Sequence, residues 1–210
     1  SEFAERIIES DDFFGLYTSP DWSLGGDMLA VLSTDGVEQH VDIIRISSGK
    51  LVERVSSGMR TRQYDDLTFN DGTVAWGADG RTIAFVAKDG SADRILLWDL
   101  YDKRLGTSFT FEGIEIIEGL DFDPTSGRLA FVGTGYGQSD VYVVDTATGE
   151  LQQITGTPQR DSYHSFSPDG PYLAYSAKQG HQFDIRAYDF DNDTVSTIVA
   201  SPTDDLWPEW

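Results

Sequence analysis

The chain has three histidines, His40, His164 and His181, and no cysteine, so nucleophilic or general-base chemistry would have to be built from few parts. His164 has the richest surroundings, in the run Arg160-Asp161-Ser162-Tyr163-His164-Ser165. A serine nucleophile needs a base within hydrogen-bonding reach and an acid to orient that base. Neighbours along one strand cannot converge in this way, because alternate side chains point to opposite faces. No Gly-x-Ser-x-Gly elbow occurs in the 210 residues, so no catalytic residue is expected in this chain. His40 and His181 fall between the second and third strands of the repeats described below and are read as solvated. Asp189-Phe190-Asp191-Asn192-Asp193 has carboxylates at alternate positions, as a calcium loop does, but lacks the glycine at the sixth position and the glutamate at the twelfth. It reads as a turn. Gly133-Thr134-Gly135-Tyr136-Gly137 is followed by no lysine and is flanked by strand-like segments, which argues against a phosphate loop. Neither a metal nor a cofactor is expected.

What remains is a set of acids and aromatics suited to binding. Tyr64, Asp65, Asp66, Asp71, Glu115 and Glu118 lie in the first half of the chain. Arg160, Asp161, Tyr163, His164, Asp204, Asp205 and Trp207 follow in the second. Each lies in a connection that leads into the first strand of a repeat. Asp71, Asp161 and Asp205 share one offset, five residues before a recurring aromatic. The 36 acidic residues against 15 basic ones give a net charge of −21, which repels nucleic-acid phosphates and attracts basic partners. A basic or flexible peptide segment is therefore the expected partner, and nucleic acid is not. No apolar run is long enough for a membrane-spanning helix, so membrane insertion is not expected.

The elements that position these residues repeat. With the aromatics Trp22, Trp76, Phe122 and Phe166 as origins, an alanine recurs at plus eight: Ala30, Ala84, Ala130 and Ala174. An aspartate recurs at plus twenty-three in the last three copies, as Asp99, Asp145 and Asp189. The origins lie 54, 46 and 44 residues apart, and a further 44 leads to Trp210. Each copy reads as an apolar strand after a Gly-containing turn, a second apolar strand, a polar turn and a more polar closing strand. One four-stranded unit of this size cannot bury both faces alone. Units stacked radially make a β-propeller, so the chain is expected to be all-β. Four complete blades are expected at about residues 19–63, 73–116, 119–160 and 163–202, with partial strands at 4–17 and 206–210. The aromatics, Trp210 included, are expected to start the inner strands and fill the wedges between blades, and the alanines to sit where blades approach most closely.

The segments Ser165-Phe166-Ser167-Pro168-Asp169-Gly170 and Ala75-Trp76-Gly77-Ala78-Asp79-Gly80, each followed by an Asp-ending strand, resemble the TolB-type β-propeller repeat. The resemblance covers residues from about 19 to 210. It implies a six-bladed propeller, of which this chain would be most or a fragment, and a periplasmic or extracellular setting in which such propellers contact other proteins. Two functions follow. The first is a non-enzymatic protein- or peptide-binding module with an acidic channel mouth. The second is an accessory propeller that gates substrate entry in a prolyl-oligopeptidase-like or other peptidase. Strand edges left open by an incomplete propeller would also invite self-association.

Overall fold

A computed structural model describes residues 16–34, 36–56, 64–68, 72–158 and 160–210. These residues form strands and turns and no helix. The first blade contains β1 (Leu16–Trp22), β2 (Met28–Thr34), β3 (Gln39–Arg45) and β4 (Lys50–Ser56). The second contains β5 (Asp66–Leu67), β6 (Val74–Trp76), β7 (Thr82–Asp89), β8 (Ala92–Asp99) and β9 (Arg104–Phe109). Next come β10 (Ile116–Phe122), β11 (Arg128–Gly135), β12 (Gln138–Asp145) and β13 (Leu151–Gln153). The fourth has β14 (Asp161–Phe166), β15 (Tyr172–Gln179), β16 (Gln182–Asp189) and β17 (Thr194–Val199). Each blade is an antiparallel meander in chain order, and in the second the inner strand is split into β5 and β6, both paired to β7.

Position in the blade explains composition. The second strand of every blade is covered on both faces, and five consecutive residues are buried in β2, β7, β11 and β15. That is why these strands read as continuous apolar runs and not as alternating ones. The outermost strand has one side open, and all six residues of β17 are exposed. Three wedge cores follow one after another. Trp76 packs with Leu32, Ile43 and Phe85 between the first two blades. Phe122 joins Val86, Ile95 and Phe131 between the second and third, and Phe166 joins Val132, Val143 and Tyr175 between the third and fourth.

The recurring aromatics close their inner strands and do not start them: Trp22, Trp76, Phe122 and Phe166 are the last residues of β1, β6, β10 and β14. They also divide into two groups. Trp76, Phe122 and Phe166 are between 5% and 8% exposed, whereas Trp22 is 50% and Trp210 54% exposed. A wedge needs a blade on either side, and each buried anchor packs against the blade before its own. Ala30, Ala84, Ala130 and Ala174 are all buried. Residues 206–210 form no strand; they run beside the fourth blade, where the Trp210 indole N–H donates to the Ser165 carbonyl at 3.0 Å. Leu16 and Tyr17 belong to β1, and the rest of the partial strand expected at 4–17 lies outside the described residues. His40 is buried within β3, not solvated in a loop, while His181 is exposed in the β15–β16 turn.

Aspartates fasten this frame in two recurring ways. At plus twenty-three, Asp99, Asp145 and Asp189 each accept two backbone N–H groups of the turn that follows, two and three residues on. Near the start of each third strand a buried aspartate takes polar partners instead. Asp42 receives two hydrogen bonds from Arg54, both at 2.7 Å, and Asp93 accepts the Ile117 N–H of the next blade at 2.9 Å. The second contact ties one blade to its neighbour.

Candidate functional site: the central channel

The inner strands carry one irregularity at the same place. Ser19, Gly119, Tyr163 and Trp207 lie three residues before their aromatic anchors, Gly72 lies four before Trp76, and all five have positive φ, between 46° and 68°. In β1, β10 and β14 the pairing to the next strand shifts register across this point, which marks a β-bulge. Ser19 Oγ accepts the Gly72 N–H at 3.1 Å, and the Gly72 carbonyl accepts the Leu120 N–H. These bonds link the first three of the five positions across three consecutive blades. A Cβ on Gly72 would lie 2.8 Å from the Gly119 Cα, so glycine is required there by close approach as well as by φ.

Four of these positions, Gly72, Gly119, Tyr163 and Trp207, line a cavity of about 800 Å3 on the inner side of the blades, the central channel of the propeller. Glu118, Arg160, Tyr163, His164 and Trp207 line it, together with Asp121. Tyr163 and Trp207 stand side by side, with ring centroids 4.9 Å apart and planes tilted by 47°. Their exposures are 41% and 65%. Asp121 accepts the Phe166 N–H at 2.7 Å, as Asp21 accepts the Trp76 N–H at 2.6 Å, so both carboxylates bridge adjacent blades. Burial pushes Asp121 up to about 7; the Phe166 hydrogen bond opposes the shift, and the charges of Asp21 and Asp123 add to it. Asp21 is raised by the same cause. Burial lowers His164 to about 4, and its two ring nitrogens are enclosed without a well-formed hydrogen bond. His164 is thus neutral at pH 7 and has no serine partner.

The remaining candidates lie elsewhere. Tyr64 is not at the channel mouth; it is buried in the first wedge core, edge-on to Phe85 at 6.2 Å. Asp65 and Asp66 accept backbone N–H groups from Gly90 and Leu67 beside the end of β7. Glu115 is exposed before β10, and its backbone bonds Asp93 and Thr134. Asp161 lines a separate cavity of about 480 Å3 with Thr155, Tyr175 and Arg186, and burial raises it to about 6. The Asp204 carboxylate and the Asp205 backbone N–H bond the Phe183 backbone and so hold residues 201–210 to the fourth blade, while the Asp205 carboxylate accepts the Ser201 N–H and hydroxyl within that segment. Asp71 lies outside the described residues. The first strand enters the channel only over the few residues around its bulge, so a residue seven before the anchor, such as Glu115, remains outside. Asp21 and Asp121 were missed from sequence, although each directly precedes an anchor. Among the described residues no group of His, Asp and Glu is placed to hold a metal ion.

The family model for the dipeptidyl peptidase IV N-terminal region matches residues 10–181. An uncharacterized peptidase, YuxL, of Bacillus subtilis is 24% identical over 160 residues, covering 76% of this chain and 22% of that protein. The chain therefore spans less than a quarter of this relative's length. Among solved structures, TolB from Acinetobacter baumannii aligns over 95% of this chain and 47% of its own, with a TM-score of 0.70 and 17% identity. A puromycin hydrolase aligns over 93% of this chain and 31% of its own, with a TM-score of 0.68 and 17% identity. Both share the β-propeller fold.

Proposed function

Because the chain belongs to the dipeptidyl peptidase IV N-terminal region family, we propose that it is the non-catalytic propeller of a larger peptidase and that its central channel takes up an extended peptide segment. The observation that carries this reading is the cavity of about 800 Å3, which is lined by the bulges of β10 and β14 and carries carboxylates and two exposed aromatic rings. A bulge interrupts regular pairing, and loops and bulges on a rigid scaffold are where recognition groups concentrate. An extended peptide fits such a passage better than a folded protein does. Access limited to flexible segments is what a propeller beside a peptidase active site would contribute. A free-standing protein-binding propeller is the other reading, but it rests on fold likeness at 17% identity, which does not carry function across.

The test is direct binding of fluorescent decapeptides of mixed sequence to the purified chain, followed by anisotropy. Saturable binding that weakens with added salt and with Glu118→Gln supports the reading. A chain that is folded by circular dichroism and binds none of the peptides would sink it.

A further inference from the structure

The five equivalent positions, three of them at β-bulges, share a positive φ but not one residue type. Ser19, Gly72 and Gly119 are small. Tyr163, with φ 46°, and Trp207, with φ 54°, are among the bulkiest side chains in a region that L-residues avoid and glycine enters freely. Strained backbone that persists with a large side chain points to a role for that side chain beyond the fold. The two rings are neighbours across consecutive repeats and remain largely open to solvent. Around them the cavity wall carries three carboxylates, Glu118, Asp121 and Glu209, against one guanidinium, Arg160, among the described residues. His164 adds no charge at pH 7.

We infer that Tyr163 and Trp207, with Glu118 and Glu209, form a subsite for a cationic side chain, Lys or Arg, of the peptide that enters the channel. An aromatic face attracts an ammonium or guanidinium through its quadrupole, and nearby carboxylates supply the long-range field that brings the cation in. An apolar or proline side chain would gain from the rings alone and nothing from the acids. The inference rests on the peptide-uptake reading, and its test separates the two.

N-acetylated, C-amidated pentapeptides of sequence Gly-Gly-X-Gly-Gly, with X as Lys, Arg, norleucine or Pro, are titrated by calorimetry at low ionic strength. The Lys and Arg peptides are expected to bind about fivefold more tightly than the norleucine peptide, as a cation–π contact at solvent-exposed rings allows. Tyr163→Gly and Trp207→Gly should each erase that preference while the melting temperature stays close to that of the parent, because glycine relieves the positive φ. Equal binding of Lys, norleucine and Pro would overturn the cationic subsite and leave peptide uptake standing. Failure of all four to bind would overturn both. A Lys preference that survives in both glycine variants would place the selectivity elsewhere and sink the assignment. An unblocked pentaglycine that competes as well as the Lys peptide would assign the subsite to a terminal ammonium instead.

Discussion

The wedge aromatics Trp76 and Phe166 and the channel aromatics Tyr163 and Trp207 occupy positions in the same repeat only three residues apart, yet different forces hold them. The wedge residues are at most 5% exposed and fill space between two blades, so their size is set from both sides. The channel residues have a blade on one side and a cavity of about 800 Å3 on the other, so little fixes their size. What the repeat does impose there is a positive φ, and the chain meets it with Gly, Ser, Tyr or Trp in turn. Packing thus dictates side chains in the wedges. In the channel the scaffold dictates only backbone, and the side chain is left to recognition.

The largest energetic difference is expected between two anchors. Trp76→Ala should cost roughly 3–5 kcal/mol, as large-to-small changes in packed cores do, whereas Trp22→Ala at 50% exposure should cost about 1 kcal/mol or less. Urea denaturation of both variants gives the difference. Equal losses would mean that Trp22 is packed as Trp76 is and that the distinction between anchors is wrong. The next largest effect tests the channel's backbone. Gly72→Ala should destabilise by roughly 2–3 kcal/mol, through positive φ and through the Gly119 backbone that the new Cβ would meet. Gly80→Ala, with the same φ of 68° but nothing within 4 Å of the added Cβ, should cost about 1 kcal/mol. A loss at Gly72 no larger than at Gly80 would remove close approach as the reason for the glycine.

The same division decides what could be read from sequence. The meander of four strands, the repeat of 44 to 54 residues and the buried alanines were legible because close packing repeats side-chain type at a fixed offset from each anchor. Glu118, Tyr163, His164 and Trp207 could be placed near the channel because they stand close before the anchors in the repeat register. Tyr64 was misplaced because the second repeat's entry is split into β5 and β6, and its first part packs into the wedge. Asp21 and Asp121 went unnoticed because an aspartate beside an aromatic has no special signature until the neighbouring blade brings the Trp76 and Phe166 N–H groups to it. The shared positive φ could not be seen at all, since only two of the five residues are glycine.

Asp121 gives a smaller effect with a definite sign. Its folded value, about 7, lies above the ordinary 3.8, so keeping it ionised opposes folding. The opposition is absent below pH 4, grows as pH rises towards 7 and is complete above it. Asp121→Asn retains an acceptor for the Phe166 N–H, so it should leave stability unchanged at pH 4 and raise it at pH 8. His164 acts in the reverse sense. Its folded value, about 4, lies below 6.5, so the stability it contributes is present above pH 6.5 and is lost as pH falls towards 4. In the parent these two dependences oppose each other across the same window, so with Asp121→Asn the stability should change with pH between 4 and 6.5 in a more positive sense than in the parent. Denaturation midpoints at pH 4, 6 and 8 check it; a variant with the parent's pH profile would show that Asp121 is solvated in the folded state.

The smallest expected effect is the most informative about the channel. Replacing Tyr163 by glycine removes a left-handed strain of about 1–2 kcal/mol, and the freer unfolded chain takes back roughly 0.5–1 kcal/mol of that gain. Loss of the ring contact with Trp207 costs a further 0.5–1.5 kcal/mol or about that. The sum lies within about 1.5 kcal/mol of zero, against the several expected for an anchor three residues away. A thermal melt near the parent's would mean that the ring is dispensable to the fold and held in the channel for what it contacts there. A loss as large as that of Trp76→Ala would make Tyr163 a packing residue after all, and the contrast between wedge and channel would fail at its central position.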